Sequence, residues 1–142
     1  MTEHLATRQK LTLAVAKKIV AAAEKKALAN GWNVVIVIVD EGANLLYLQR
    51  MDDTQLASTD IALKKALSAI KYKRPTKTFE ESLIGGRQAI LKLPGAMPVE
   101  GGLPLTCNGE FLGAIGVSGV QGDEDGMIAK AGVDALAKLA CT

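Results

Sequence analysis

The run WNVVIVIVD, Trp32–Asp40, constrains this chain more than any other stretch. Val34 to Val39 are six consecutive β-branched residues. Successive side chains of a strand point to opposite faces, so this run is apolar on both. Such a pattern predicts a central strand covered by other elements on two sides. DEGAN then reads as a short turn. LLYLQRMD returns as a second strand, and so short a link makes an antiparallel hairpin, because a parallel return needs a crossover.

A second hairpin follows from LPLTC and EFLGAIGVSG, which flank Asn108–Gly109, the strongest short hairpin signal. Helical patterns fill the rest. Thr7 to Asn30 carries Leu11, Val15, Ile19, Ala22, Ala23 and Ala27 at helical spacing, with Lys17, Lys18, Glu24 and Lys25 opposite. Asn30–Gly31 supplies a left-handed stop. TQLASTDIALKKALSAIKYK predicts a second helix that Pro75 ends. A third, KTFEESLIGGRQAILKL, is broken or closely packed at Gly85–Gly86. DEDGMIAKAGVDALAKLA closes the chain, capped by Asp123 or a neighbour. The order is helix, hairpin, helix or helices, hairpin, helix. It predicts an α/β protein of the α+β kind, an antiparallel sheet with helices on both faces. No Walker loop or dinucleotide fingerprint is present. With 142 residues, the expectation is a single domain over 1–142.

Aromatic residues make up only 4% of the chain, so the core must be aliphatic. A net charge of +2 implies no nucleic-acid surface. Lys64, Lys65, Lys71, Lys73, Arg74 and Lys77 cluster modestly, as a solvated helix face or an anion-binding rim. Cys107 and Cys141 are too few for a disulfide framework, fit no zinc spacing, and read as small hydrophobes. No signal-peptide pattern and no membrane span is seen. A cytoplasmic location is the default expectation.

The chemistry concentrates in PVEGGLPLTCNGEFLGAIGVSG, Pro98–Gly119, with six glycines, two of them directly after the carboxylate of Glu100. Gly113, Gly116 and Gly119 recur every third position, as if a helix, a subunit or a ligand comes close. Gly101 and Gly102 form either a plain turn or a loop presenting amides to an anion. Glu100 reads as a solvated loop residue, a proton acceptor, or a partner for Arg50 or Lys65. Arg50, at a strand end, suits a carboxylate or propionate anchor, and equally a surface salt bridge. Lys65 lies on a mostly apolar helix face, either snorkelling or functional. Ser118 joins the candidate ligand-binding group, but no Ser-His-Asp triad is available. His4 is the only histidine and precedes the first helix. No metal cluster is readable. Met1, Met51, Met97 and Met127 offer thioethers, more often gap fillers than ligands.

Taken in order, VVIVIVDEGANLLYLQRMD, ASTDIALKKA, the RPT turn, PVEGGLPL, NGEFLGAIGVSG and DEDGMIAKAG resemble the GlcG/HbpS-like family, which includes the C-terminal domain of PduO-type proteins. The resemblance spans about Leu11 to Ala140. It implies a five-stranded antiparallel sheet between helices, profilin-like, and homo-oligomers often built from dimers. Several members bind haem, and some are encoded beside glycolate, diol or aromatic catabolism genes. The motif positions include Arg50, Lys65, Thr76, Glu100, Gly101, Gly102, Ser118 and Asp125. Members with histidine-ligated haem carry the ligand inside the fold, where this chain has none; a thioether-ligated haem remains compatible with the sequence.

Three functions follow. The first is a binding protein for haem or a small anionic ligand, accessory to small organic acid, diol or aromatic catabolism. Its site would join Glu100 and the Gly101 and Gly102 amides to Arg50, Lys65 and Ser118. The second is a metal-independent isomerase, hydratase or lyase on a small organic acid, with Arg50 as anchor and Glu100 and Lys65 moving protons. The third is a structural oligomer without ligand.

Overall fold

A computed structural model describes residues 2–141. Among the described residues, four α-helices and four strands follow in the order α1 (Leu13–Ala29), β1 (Val35–Asp40), β2 (Leu45–Arg50), α2 (Ser58–Tyr72), α3 (Thr76–Ile84), β3 (Gly102–Cys107), β4 (Glu110–Ser118) and α4 (Gly122–Ala140). The sheet order is β2-β1-β4-β3, antiparallel throughout.

The β-branched run becomes inner strand β1, and each residue from Val35 to Val39 is fully buried. Val35, Val37 and Val39 face Ala62, Ala66 and Ala69 of α2. Ile36 and Ile38 face the opposite layer, with Ile19 and Ala23 of α1 and Ile128 and Leu136 of α4. Each such side chain contributes about 1.5–3 kcal/mol by burial. Both faces are therefore covered, as the run requires.

Four strands form among the described residues, not the five implied by the resemblance. Between α3 and β3 lie a short 3₁₀ turn (Gln88–Lys92) and a loop. Gly85, Gly86, Pro94, Gly95 and Pro98 interrupt that segment and leave no run that can pair. Gly85 caps α3, so the glycine pair breaks the helix.

The first helix begins later than its periodicity suggests. The Thr12 hydroxyl accepts the Val15 amide at 3.2 Å and sets the start. The residues before it lie across the second hairpin: the Arg8 guanidinium donates to the Phe111 carbonyl at 2.9 Å. At α4 the cap comes from Gln121 and Glu124, whose carboxylate accepts the Gln121 amide at 3.1 Å; Asp123 is exposed.

Gly116 marks the closest helix–sheet approach. A Cβ there would collide with the Ala62 carbonyl of α2. A packed helix, rather than a ligand, explains this glycine.

Cys107 and Cys141 are joined by a disulfide, with Cα atoms 5.1 Å apart. This corrects the expectation of two unpaired small hydrophobes. The pairing ties the end of α4 to the end of β3, a closeness that 34 residues of separation do not reveal. No helix is long and apolar enough to cross a membrane among the described residues.

Candidate functional site

Glu100 ends the loop before β3 and lies against α4. A Cβ on Gly126 would collide with its Oε2, and Gly122 flanks its Cβ, so two glycines one helical turn apart leave the notch it occupies. Its own amide donates to Glu80 Oε1 at 3.0 Å. Burial raises the Glu100 carboxyl above its ordinary value. Lys77 opposes that shift, while Glu80, Asp123 and Glu81 add to it.

Behind Glu100 the chain turns inward. Gly101 has φ 133°, a conformation that strains any other residue. Its carbonyl accepts the Val117 amide at 2.9 Å. The Gly102 amide donates to the Thr76 hydroxyl at 2.9 Å. Thr76 opens α3 and is fully buried. Of the two amides expected to face an anion, that of Gly102 is therefore committed to a side chain.

Lys65 is 1% exposed. Its Nζ donates to Asp125 Oδ2 at 3.0 Å and to the Val117 carbonyl at 2.9 Å. Asp125 Oδ1 accepts the Val120 amide at 3.1 Å. Burial pushes the Asp125 carboxyl up to about 6, against the pull of the Lys65 charge. This pair locks α2 to the start of α4 beneath Gly101. Asp125 is the residue that sequence reasoning left out of the site. A lysine on an apolar helix face signals that a buried counter-charge is needed, but not which acid supplies it.

The structure does not bring the six expected residues together. Lys65 is adjacent to Gly101 but paired with Asp125, not with Glu100. Ser118 is buried at the end of β4, where its hydroxyl bonds that of Ser58 at 3.1 Å. Arg50 ends β2, the opposite edge strand, three strand spacings or about 14 Å across the sheet. It lines a separate cleft with Glu24, Asn33, Asp52 and Asp53. The bend therefore turns Glu100 toward α3 and α4, away from the first hairpin.

What the bend does border is a cavity of about 500 Å³, within the range of small-molecule sites. Pro75, Leu103, Met127 and Ala131 give it an apolar wall. Glu100, Lys26, Lys77, Asp123, Lys130 and Asp134 surround that wall with charge. Lys130 is paired to Asp134 along α4, and Lys77 lies 3.9 Å from Glu81. Met127 is 46% exposed and lines this cavity rather than the core. Lys77 belongs to the basic cluster noted in the sequence, whereas Lys26 and Lys130 were missed, because an exposed lysine gives no sign of which cavity it borders.

A family model described as haem degrading protein HbpS-like matches residues 11–134. Protein GlcG of Escherichia coli K12 is 39% identical over 112 residues, covering 79% of this chain and 84% of the relative. The crystal structure of Klebsiella pneumoniae protein ORFY superposes with a TM-score of 0.90 at 34% identity, covering 98% of this chain and 99% of that one. A PduOC–haem complex superposes with a TM-score of 0.81 at 26% identity, covering 89% of this chain and 95% of that one.

Proposed function

This chain belongs to the HbpS-like family, and from that premise we propose that it binds haem, or a comparable apolar anion, in the cavity beside Glu100. The observation that carries the reading is the cavity's composition. An apolar wall that includes a half-exposed thioether is bordered by lysines from α1, α3 and α4. The Met127 thioether suits iron as a soft ligand, and Lys26 and Lys77 suit propionates. Haem bound there would supply redox and oxygen chemistry. The chain's own residues supply the apolar enclosure, the charge partners and a carboxyl at the rim. The PduOC relative in complex with haem supports the same reading.

We place the protein as a homo-oligomeric accessory to small organic acid, diol or aromatic catabolism, which the likeness to GlcG supports. The second reading, a metal-independent proton-transfer enzyme, is weakened by the geometry. Its anchor Arg50 lines a different cleft, and Lys65 is buried against Asp125.

An absorbance titration with haem tests the proposal. We expect saturation at one haem per chain, with the Soret position altered in Met127→Leu and affinity lowered in Lys77→Ala. Arg50→Ala should bind as the parent does. Loss of binding in Arg50→Ala, with Met127→Leu and Lys77→Ala unaffected, would move the site to the other cleft.

A further inference from the structure

The cavity beside Glu100 combines two opposed features. Its lysines invite an anion, yet a carboxylate stands at its border. Glu100 is half-buried there, with its side chain laid along α4 in the space that Gly122 and Gly126 leave.

Charges face Glu100 from each element around it. Lys77, Glu80 and Glu81 come from α3 and Asp123 from α4. Lys26 of α1, with Lys130 and Asp134 of α4, also lines the cavity. Behind Gly101, Lys65 of α2 is paired with Asp125. Among the described residues no cation lies within salt-bridge distance of Glu100. Lys77 lies 3.9 Å from Glu81, and Lys130 is paired with Asp134. Even the Glu100 backbone amide reaches an acid, Glu80 Oε1, at 3.0 Å. Burial and three acids, set against the one lysine, strengthen the hold of this carboxyl on a proton.

Lys77 is also a cation that suits a ligand carboxylate. Its charge bears on Glu100, so a carboxylate drawn to Lys77 comes up against Glu100. Two carboxylates that share one site do not both stay ionised. One proton between them replaces the repulsion with a charge-assisted hydrogen bond.

We propose that Glu100 makes ligand binding proton-linked: the ligand carboxylate is held between Lys77 and a protonated Glu100, and each ligand enters with one proton taken from solvent. This rests on the haem reading above and adds to it a basis for selectivity and a response to pH. The Glu100 carboxyl donates, the ligand carboxylate accepts, and Lys77 balances the remaining charge. A ligand with the same apolar body but no carboxylate gains nothing from the proton, so Glu100 selects acids over their esters. The complex holds the proton more tightly than the free protein does. Affinity is therefore greatest at low pH and falls as pH rises, by up to about tenfold per pH unit for one proton.

The test uses ferric haem and its dimethyl ester, which keeps the iron and the ring but carries no carboxylate. Both are titrated into the full chain from about pH 6 to 8, where free propionates are ionised. Calorimetry at neutral pH in phosphate and in Tris, buffers of unlike ionisation enthalpy, counts the protons taken up. Haem should bind the parent with uptake of about one proton, and its affinity should fall across the range. The ester should bind more weakly at the lower pH and with a flat profile. Glu100→Gln, which keeps a donor at the same place without a charge, should flatten the haem profile and bind more tightly than the parent at the upper pH. Haem binding without proton uptake, or with a flat profile in the parent, overturns this inference and leaves the haem reading standing. A slope that persists in Glu100→Gln or with the ester places the proton elsewhere and also overturns it. No haem binding at any pH would overturn both.

Discussion

At the scale of single residues, the Lys65–Asp125 pair controls the site without lining it. Removing one partner leaves the other charge buried and alone, at a cost of about 3–5 kcal/mol. Lys65→Met and Asp125→Asn should each lower the unfolding free energy by that amount, read from urea titration, while the Lys65→Met, Asp125→Leu double variant should recover most of it. A double variant as unstable as the sum of the singles would show that the two groups do not act as a pair. The same pair fixes a pH dependence. Asp125 titrates near 6 in the folded protein, above its ordinary 3.8, so the folded state holds that proton more tightly. Its contribution to stability is full below about 3.8 and is lost as pH rises through about 6. Stability measured from pH 4 to 7 should therefore fall more in the parent than in the double variant. A steeper fall in the double variant would reverse the sign and contradict the assignment. Lys65 was legible in the sequence as anomalous, since a lysine on an apolar face stands out. Its partner was not, because Asp125 sits among Asp123 and Glu124 and nothing in local spacing separates a buried acid from two solvated ones.

At the scale of elements, the hairpins and helices were legible because their signals are local. Six β-branched residues in a row force a covered strand, and Asn108–Gly109 forces a tight turn. The start of α1 was less legible: periodicity carries the helix back to Thr7, whereas the Thr12 hydroxyl caps it and the residues before it run over the second hairpin. The repeating glycines were legible as places of close approach, but not what approaches. Gly116 answers to the Ala62 carbonyl, backbone against backbone, so nothing flexible can give way. Gly116→Ala should cost about 3 kcal/mol, at the upper end of overpacking changes, read as a lowered urea midpoint. A change within 0.5 kcal/mol would mean that α2 sits farther from the sheet than described. The disulfide adds an independent tie between β3 and α4, worth about 3–4 kcal/mol in a chain-entropy view for a closed loop of this length. Only folding brings its two ends together.

At the scale of the whole molecule, the order of the strands decides which residues can meet. Strand order puts Arg50 and Glu100 on opposite edges, and this is why the expected site came apart: residues near in pattern were placed by a topology that β2-β1-β4-β3 alone reveals. The glycine bend, the carboxylate and the family were readable from sequence; that lysines from three different helices converge on one cavity was not. The central claim is that the cavity between Glu100 and Met127 receives the ligand. Ferric haem broadens nearby amide resonances, so its position can be mapped directly on the labelled protein. The account predicts broadening centred on Glu100 to Leu103 and on Gly126 to Ala131. Broadening centred instead on Gln49 to Asp53, or none at saturating haem, would contradict it.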